Sequence, residues 1–108
     1  MTDFTITMNL TDSETTTRII LESGARKWSM TIGDSSVVAK LMKDVMRGRA
    51  VRNEGVALDD GGVLEFERTP YGAIVGCEFC SFATALRLVN EIREAGDDAQ
   101  RHLDPKAA

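Results

Sequence analysis

Phe4, Ile6, Met8 and Leu10 alternate with Thr5, Thr7 and Asn9, the period of two that marks a strand with one buried face. Thr11-Asp12-Ser13-Glu14 reads as a turn, and Thr15 to Glu22, rich in β-branched residues, as a second strand. After Ser23-Gly24-Ala25-Arg26 the alternation resumes, with Trp28, Met30 and Ile32 set against Lys27, Ser29 and Thr31. Beyond Gly33 the period changes. Val37, Val38, Leu41, Met42 and Val45 recur at helical spacing, and Lys40, Lys43, Asp44 and Arg47 occupy the other side. Asp34 or Ser35 is placed to cap this helix by accepting from its free N–H groups, and Gly48 to stop it.

The same order then returns. Val56 to Leu58, Val63 to Arg68 and Ala73 to Phe79 read as strands, separated by the turn signals Asp59-Asp60-Gly61-Gly62 and Thr69-Pro70-Tyr71-Gly72. Ser81 is placed to cap a second helix with Phe82, Ala85, Leu88, Val89 and Ile92 inward, which Gly96-Asp97-Asp98 weakens. We therefore expect one α+β domain over residues 1–96, in which two βββα units form an antiparallel sheet with two helices packed on one face. Residues 97–108 are expected to be a polar, frayed C-terminal tail. The strand and helix phases converge on a core of Trp28, Met30, Ile32, Leu41, Val45, Phe66, Phe79, Leu88 and Ile92.

The two units overlay, with Leu21-Glu22 on Phe66-Glu67 and Leu41-Met42 on Leu88-Val89, but few positions are identical. Internal duplication and simple recurrence of an amphipathic unit both account for this. The tandem strand-then-helix order is similar to that of the PUR-repeat and Whirly single-strand-binding families, which use four strands per helix. That resemblance lies in element order across the domain and implies nucleic-acid binding by analogy of fold.

Composition narrows the class. Of 108 residues, 43% are hydrophobic and 28% charged, ordinary for a globular chain and contrary to disorder. The net charge of -4 disfavours a general nucleic-acid coat, because counterion release needs clustered Lys and Arg. No apolar run approaches the ~20 residues of a membrane span, and Met1-Thr2-Asp3-Phe4 lacks the basic and apolar segments of a signal peptide. Two cysteines three positions apart do not make a secreted disulfide framework, so a reducing cytoplasm is the expected location.

Cys77-Glu78-Phe79-Cys80, after a strand and before a helix, resembles the thioredoxin and glutaredoxin families over residues 73–92. The resemblance implies Cys77 as an attacking thiolate stabilised by a helix N-terminus, with Cys80 resolving. That family also carries a βαβ unit and a later cis-proline, whereas the only proline after the motif here is Pro105. The phase of Cys77 with Val75 and Phe79 points the other way, to two small buried hydrophobes. A closed zinc site needs four ligands, and the only histidine is His102, so no metal or cofactor is expected. One histidine near the C-terminus supports no Ser/His/Asp triad, and Asp59-Asp60-Gly61-Gly62 lacks the spaced oxygens of a calcium loop.

Lys40, Lys43, Arg47, Arg49 and Arg52 place five positive charges within thirteen positions, against Asp44 alone. Spacing 40, 43, 47 puts three on one helix face. Such a face is either solvated or the contact for an acidic partner or a phosphate backbone. We expect a small non-enzymatic protein-interaction module, a regulator, inhibitor or adaptor that uses these five residues. This is a description that phage- or mobile-element-encoded proteins often fit. The alternatives are nucleic-acid binding through the same face and thiol oxidoreduction at Cys77 and Cys80. Partner identity and homo-oligomerisation stay open at this level.

Overall fold

The opening alternation builds a three-stranded antiparallel meander, β1 (Phe4–Asn9), β2 (Arg18–Ser23) and β3 (Arg26–Met30). In this computed structural model, residues 4–48 and 53–104 are described. Register pairs Ile6 with Leu21 and Leu21 with Trp28, so the apolar set shares one face. Thr5 opposes Glu22, and Glu22 opposes Lys27, on the other. β2 begins at Arg18 rather than Thr15 because the threonines before it serve the preceding loop. The Thr16 and Thr17 N–H groups donate to the Ser13 carbonyl, and the Thr17 hydroxyl accepts from the Thr11 N–H at 3.1 Å.

Helix α1 (Ile32–Met46) starts directly after β3. Its N-cap is Thr31, not Asp34 or Ser35, and Thr31 Oγ1 accepts from the Asp34 N–H at 3.0 Å. The strand ends at Met30, so the first hydroxyl past it takes the capping place and Asp34 falls in the first turn, where the helix dipole favours its charge. The apolar arc is rotated from the expected one: Val38, Ala39, Met42, Val45 and Met46 are buried, Leu41 is half-buried and Val37 is exposed.

The second half is a four-stranded meander, β4 (Asn53–Ala57), β5 (Val63–Thr69), β6 (Gly72–Val75) and β7 (Glu78–Cys80), followed by α2 (Phe82–Leu103). The expected strand from Ala73 to Phe79 is two. Val75 pairs with Glu78, and Gly76 and Cys77 between them both have positive φ, 56° and 74°. That is the two-residue turn whose twist suits a hairpin. The reversal inverts the side-chain phase, so Phe79 stands 54% exposed on the outer face, not in the core where alternation with Val75 and Cys77 in one strand would place it. Ser81 caps α2 as expected, its Oγ accepting from the Thr84 N–H at 3.1 Å. Phe82 is part-exposed at the helix start, and the helix runs through Gly96-Asp97-Asp98 to Leu103 with Ala99 buried.

The fold is thus α+β, with two helices and two antiparallel sheets rather than one continuous sheet. β3 meets the second sheet through a side chain, because the Trp28 indole lies against Gly76 and leaves no room there for a Cβ. A second link is ionic. The Arg18 guanidinium in β2 donates to both Asp59 carboxylate oxygens at 2.7 and 2.8 Å and to the Ser29 hydroxyl at 2.8 Å, holding the β4–β5 turn against the first sheet. α1 lies over β4 and β5 as well as β2 and β3, while α2 lies over β1 and β2 as well as β6. Each helix therefore covers both units, and Ile19, Leu21, Met42, Leu64, Phe66, Leu88 and Ile92 share one core. No helix among the described residues is long and apolar enough to cross a membrane.

Two outcomes follow from this packing. Met42→Ala, at a fully buried site, should cost about 2–5 kcal/mol in urea unfolding, and Leu41→Ala, at a half-buried one, about 1 kcal/mol. Equal losses would show that the helix phase is the one expected from spacing alone. The hydrogen bonds from Arg18 hold the Asp59 carboxyl below the usual carboxylate range. A depressed folded-state pKa adds stability that is present above the unfolded pKa of about 4 and lost as pH falls through the folded value. Asp59→Asn should therefore lower Tm at pH 7, by a gap that shrinks as pH falls below the unfolded carboxylate pKa and on through the lower folded one. A gap in Tm that persists in acid would mean the ion pair adds nothing.

Candidate functional site

Three of the five basic residues singled out by spacing lie on described parts of α1. Lys40 is exposed and reaches Asp44, one turn on, at 3.9 Å. Lys43 is half-buried, and Arg47 is the exposed C-cap. Arg49 and Arg52 lie outside the described residues.

Lys40 and Lys43 do not stand on an isolated helix face. They line a groove of about 230 Å³ between α1 and α2, together with Arg93 from the second helix. Ser35, Ser36 and Ala39 from α1 and Gly96 from α2 also line it. These small residues explain its shape. A Cβ on Gly96 would stand 2.7 Å from Ser35 Oγ, so the helices approach closely there and leave long side chains only at the rim. Ser35 is able to sit in this contact because its hydroxyl donates back to the Ile32 carbonyl at 2.6 Å.

The groove carries Lys40, Lys43 and Arg93 against Asp97, and Asp44 partly offsets Lys40. Lys43 and Arg93 have no ion pair among the described residues. Small residues at the crossing and cations at the rim suit a carboxylate-bearing side chain laid along the helices. Arg93 supplies a planar fork and Lys43 a point charge. Helical spacing alone puts Arg93 only among the polar residues opposite Leu88, Val89 and Ile92. Its joining Lys43, fifty positions earlier, depends on the helix crossing.

The cysteine pair has a different geometry from the one its spacing suggests. Cys77 is not in phase with the core: it sits exposed at the tip of the β6–β7 turn with φ 74°. Cys80 is buried, and β7 and Ser81 separate Cys77 from the start of α2. Burial pushes the Cys80 thiol up, with the Arg87 charge opposing in part. This is the reverse of the depression that makes a reactive thiolate. Both thiols are free.

On native protein, alkylation by iodoacetamide followed by mass spectrometry should label Cys77 promptly and Cys80 only on unfolding. Cys77→Gly should stabilise the fold by about 1 kcal/mol, since glycine accepts positive φ without the Cβ penalty. Prompt labelling of Cys80 in the native state would return the pair to redox chemistry. Comparison with protein-family models, curated proteins and solved structures returns no significant match, so function rests on this chain's own geometry.

Proposed function

We propose that this protein is a non-enzymatic interaction module, a small regulator, inhibitor or adaptor. Its groove between α1 and α2 takes an acidic segment of another protein. The observation that carries the reading is the meeting of Lys40 and Lys43 with Arg93 over a floor of small residues. A helical or extended segment can come close to such a floor, and carboxylates on it then meet cations from both helices. The net charge of -4 confines the attraction to the patch, since fields are screened beyond about 8 Å at physiological salt. The site therefore selects at contact rather than by long-range steering. A reducing cytoplasm suits the two free thiols.

The test uses a fluorescein-labelled peptide rich in Glu and Leu, with a single-stranded DNA oligonucleotide as the competing polyanion. Wild type should bind the peptide with an affinity that falls as salt rises. Lys43→Glu with Arg93→Glu should weaken it by about tenfold or more, about 1.4 kcal/mol, with circular dichroism checking that the half-buried Lys43 position tolerates the reversal and the variant stays folded. Preference for the oligonucleotide would move the function to nucleic-acid binding, and equal peptide affinity in the double reversal would reduce the groove to solvated surface.

A further inference from the structure

Among the described residues, the second sheet packs against the core with one face only. Leu64, Phe66 and Val75 point to the core, and the residues between them point away from it. Register puts Glu67 beside Ile74 and Ile74 beside Phe79, one row across β5, β6 and β7. Glu65 stands next in line on β5 and opposes Gly55 on β4. Gly55 contributes no side chain, and the Cys77 turn folds along the same face. Together they leave a hollow of about 450 Å³ lined by Glu54, Glu65, Glu67, Ile74 and Cys77. No cation lies within ion-pair distance of Glu54, Glu65 or Glu67 among the described residues. The outer face thus joins Glu65, Glu67 and half-buried Ile74 at one depression, whose rim Glu54 reaches from the edge of β4, with the exposed Phe79 ring next in the row.

We propose that this outer face is a second docking surface, and that its occupant is a partner-protein segment carrying an arginine or lysine close to an apolar residue. The stem of a long cation lies along Ile74 while its head meets the glutamates, the arrangement that amphipathic cationic side chains favour. The row sets the spacing. Two strand steps of about 4.8 Å separate Glu67 from Phe79, so an extended segment bridges them with a cation and an apolar residue two to three positions apart. This surface is independent of the groove between the helices: it lies on the side of the sheet away from α1 and has the opposite sign. A chain with both surfaces is able to hold an acidic and a basic segment at once, which makes the adaptor role the specific one.

The probe is a fluorescein-labelled peptide of repeated Arg-Ser-Leu, with repeated Gln-Ser-Leu as its neutral control, read by fluorescence anisotropy at physiological salt. The arginine peptide should bind and the glutamine peptide should not. Glu65→Gln with Glu67→Gln should weaken binding by at least about tenfold. Gly55→Val should do the same by filling the hollow, since a Cβ there meets only ordinary contacts, 3.4 Å from Glu65 and 3.5 Å from Val63. Circular dichroism checks that each variant is folded. Glu91→Gln with Glu94→Gln removes equal charge from α2 and should leave binding unchanged, as should Lys43→Glu with Arg93→Glu, whose own failure concerns the groove alone. The proposal is overturned if the two peptides bind alike, if the α2 variant weakens binding as much as the sheet variants, or if the Glu65 and Glu67 pair proves dispensable. It is also overturned if sedimentation shows the face occupied by a second copy, dispersed by Glu65→Lys with Glu67→Lys.

Discussion

Gly96 has only a hydrogen where other residues carry a Cβ, and that sets how near α2 comes to Ser35 on α1. The rest of the architecture depends on this approach. With the helices side by side, α1 reaches β4 and β5 and α2 reaches β1, so neither half closes a core alone. A unit of roughly fifty residues is marginal by itself, because it buries a small share of its unfolded surface. Sharing two helices across two sheets joins the apolar faces of both units into one cluster. The same crossing brings Lys43 and Arg93 together, so the contact that completes the core also builds the groove.

The sheets are joined by side chains where their backbones do not pair. Trp28 lies on Gly76, and Arg18 spans from β2 to Asp59 in the β4–β5 turn. One link is apolar and fills space; the other is a two-point ion pair that sets direction. Two sheets held in this way keep separate outer faces. The outer face of the first mixes Thr5, Glu22 and Lys27, whereas that of the second carries Glu65 and Glu67 beside Ile74 and Phe79. With screening over about 8 Å, the cationic groove and the acidic sheet face act as distinct fields and do not cancel.

Strand alternation, helical spacing and turn chemistry are local properties. They placed both meanders, both helices, the Asp59-Asp60-Gly61-Gly62 and Thr69-Pro70-Tyr71-Gly72 turns, the Ser81 cap and most of the core. Where local signals compete, they point to the wrong element or face. Two glycine- or cysteine-bearing positions inside an apolar run hid the β6–β7 turn, because Ala73 to Phe79 is hydrophobic enough to pass for one strand. The cost was the side of the sheet on which Phe79 and Cys77 stand. Thr31 reads as strand because it fits the alternation that runs through Met30, and only the end of β3 at Met30 frees it to cap α1.

The sequence by itself determined the α+β class, the order of the elements up to that hidden hairpin, and which positions on each element are apolar, since these follow from periods of 2 and 3.6 along the chain. It also determined that Lys40 and Lys43 share a helix face with Arg47. Only the tertiary structure decided that the sheet is two sheets, that each helix spans both, that Arg93 joins the lysines, and that a hollow opens at Gly55 between glutamates. These depend on contacts between residues tens of positions apart, set by the room a missing Cβ leaves at Gly96, Gly76 and Gly55. A side-chain period records which way a residue faces on its own element, and carries no information about what the neighbouring element brings to meet it.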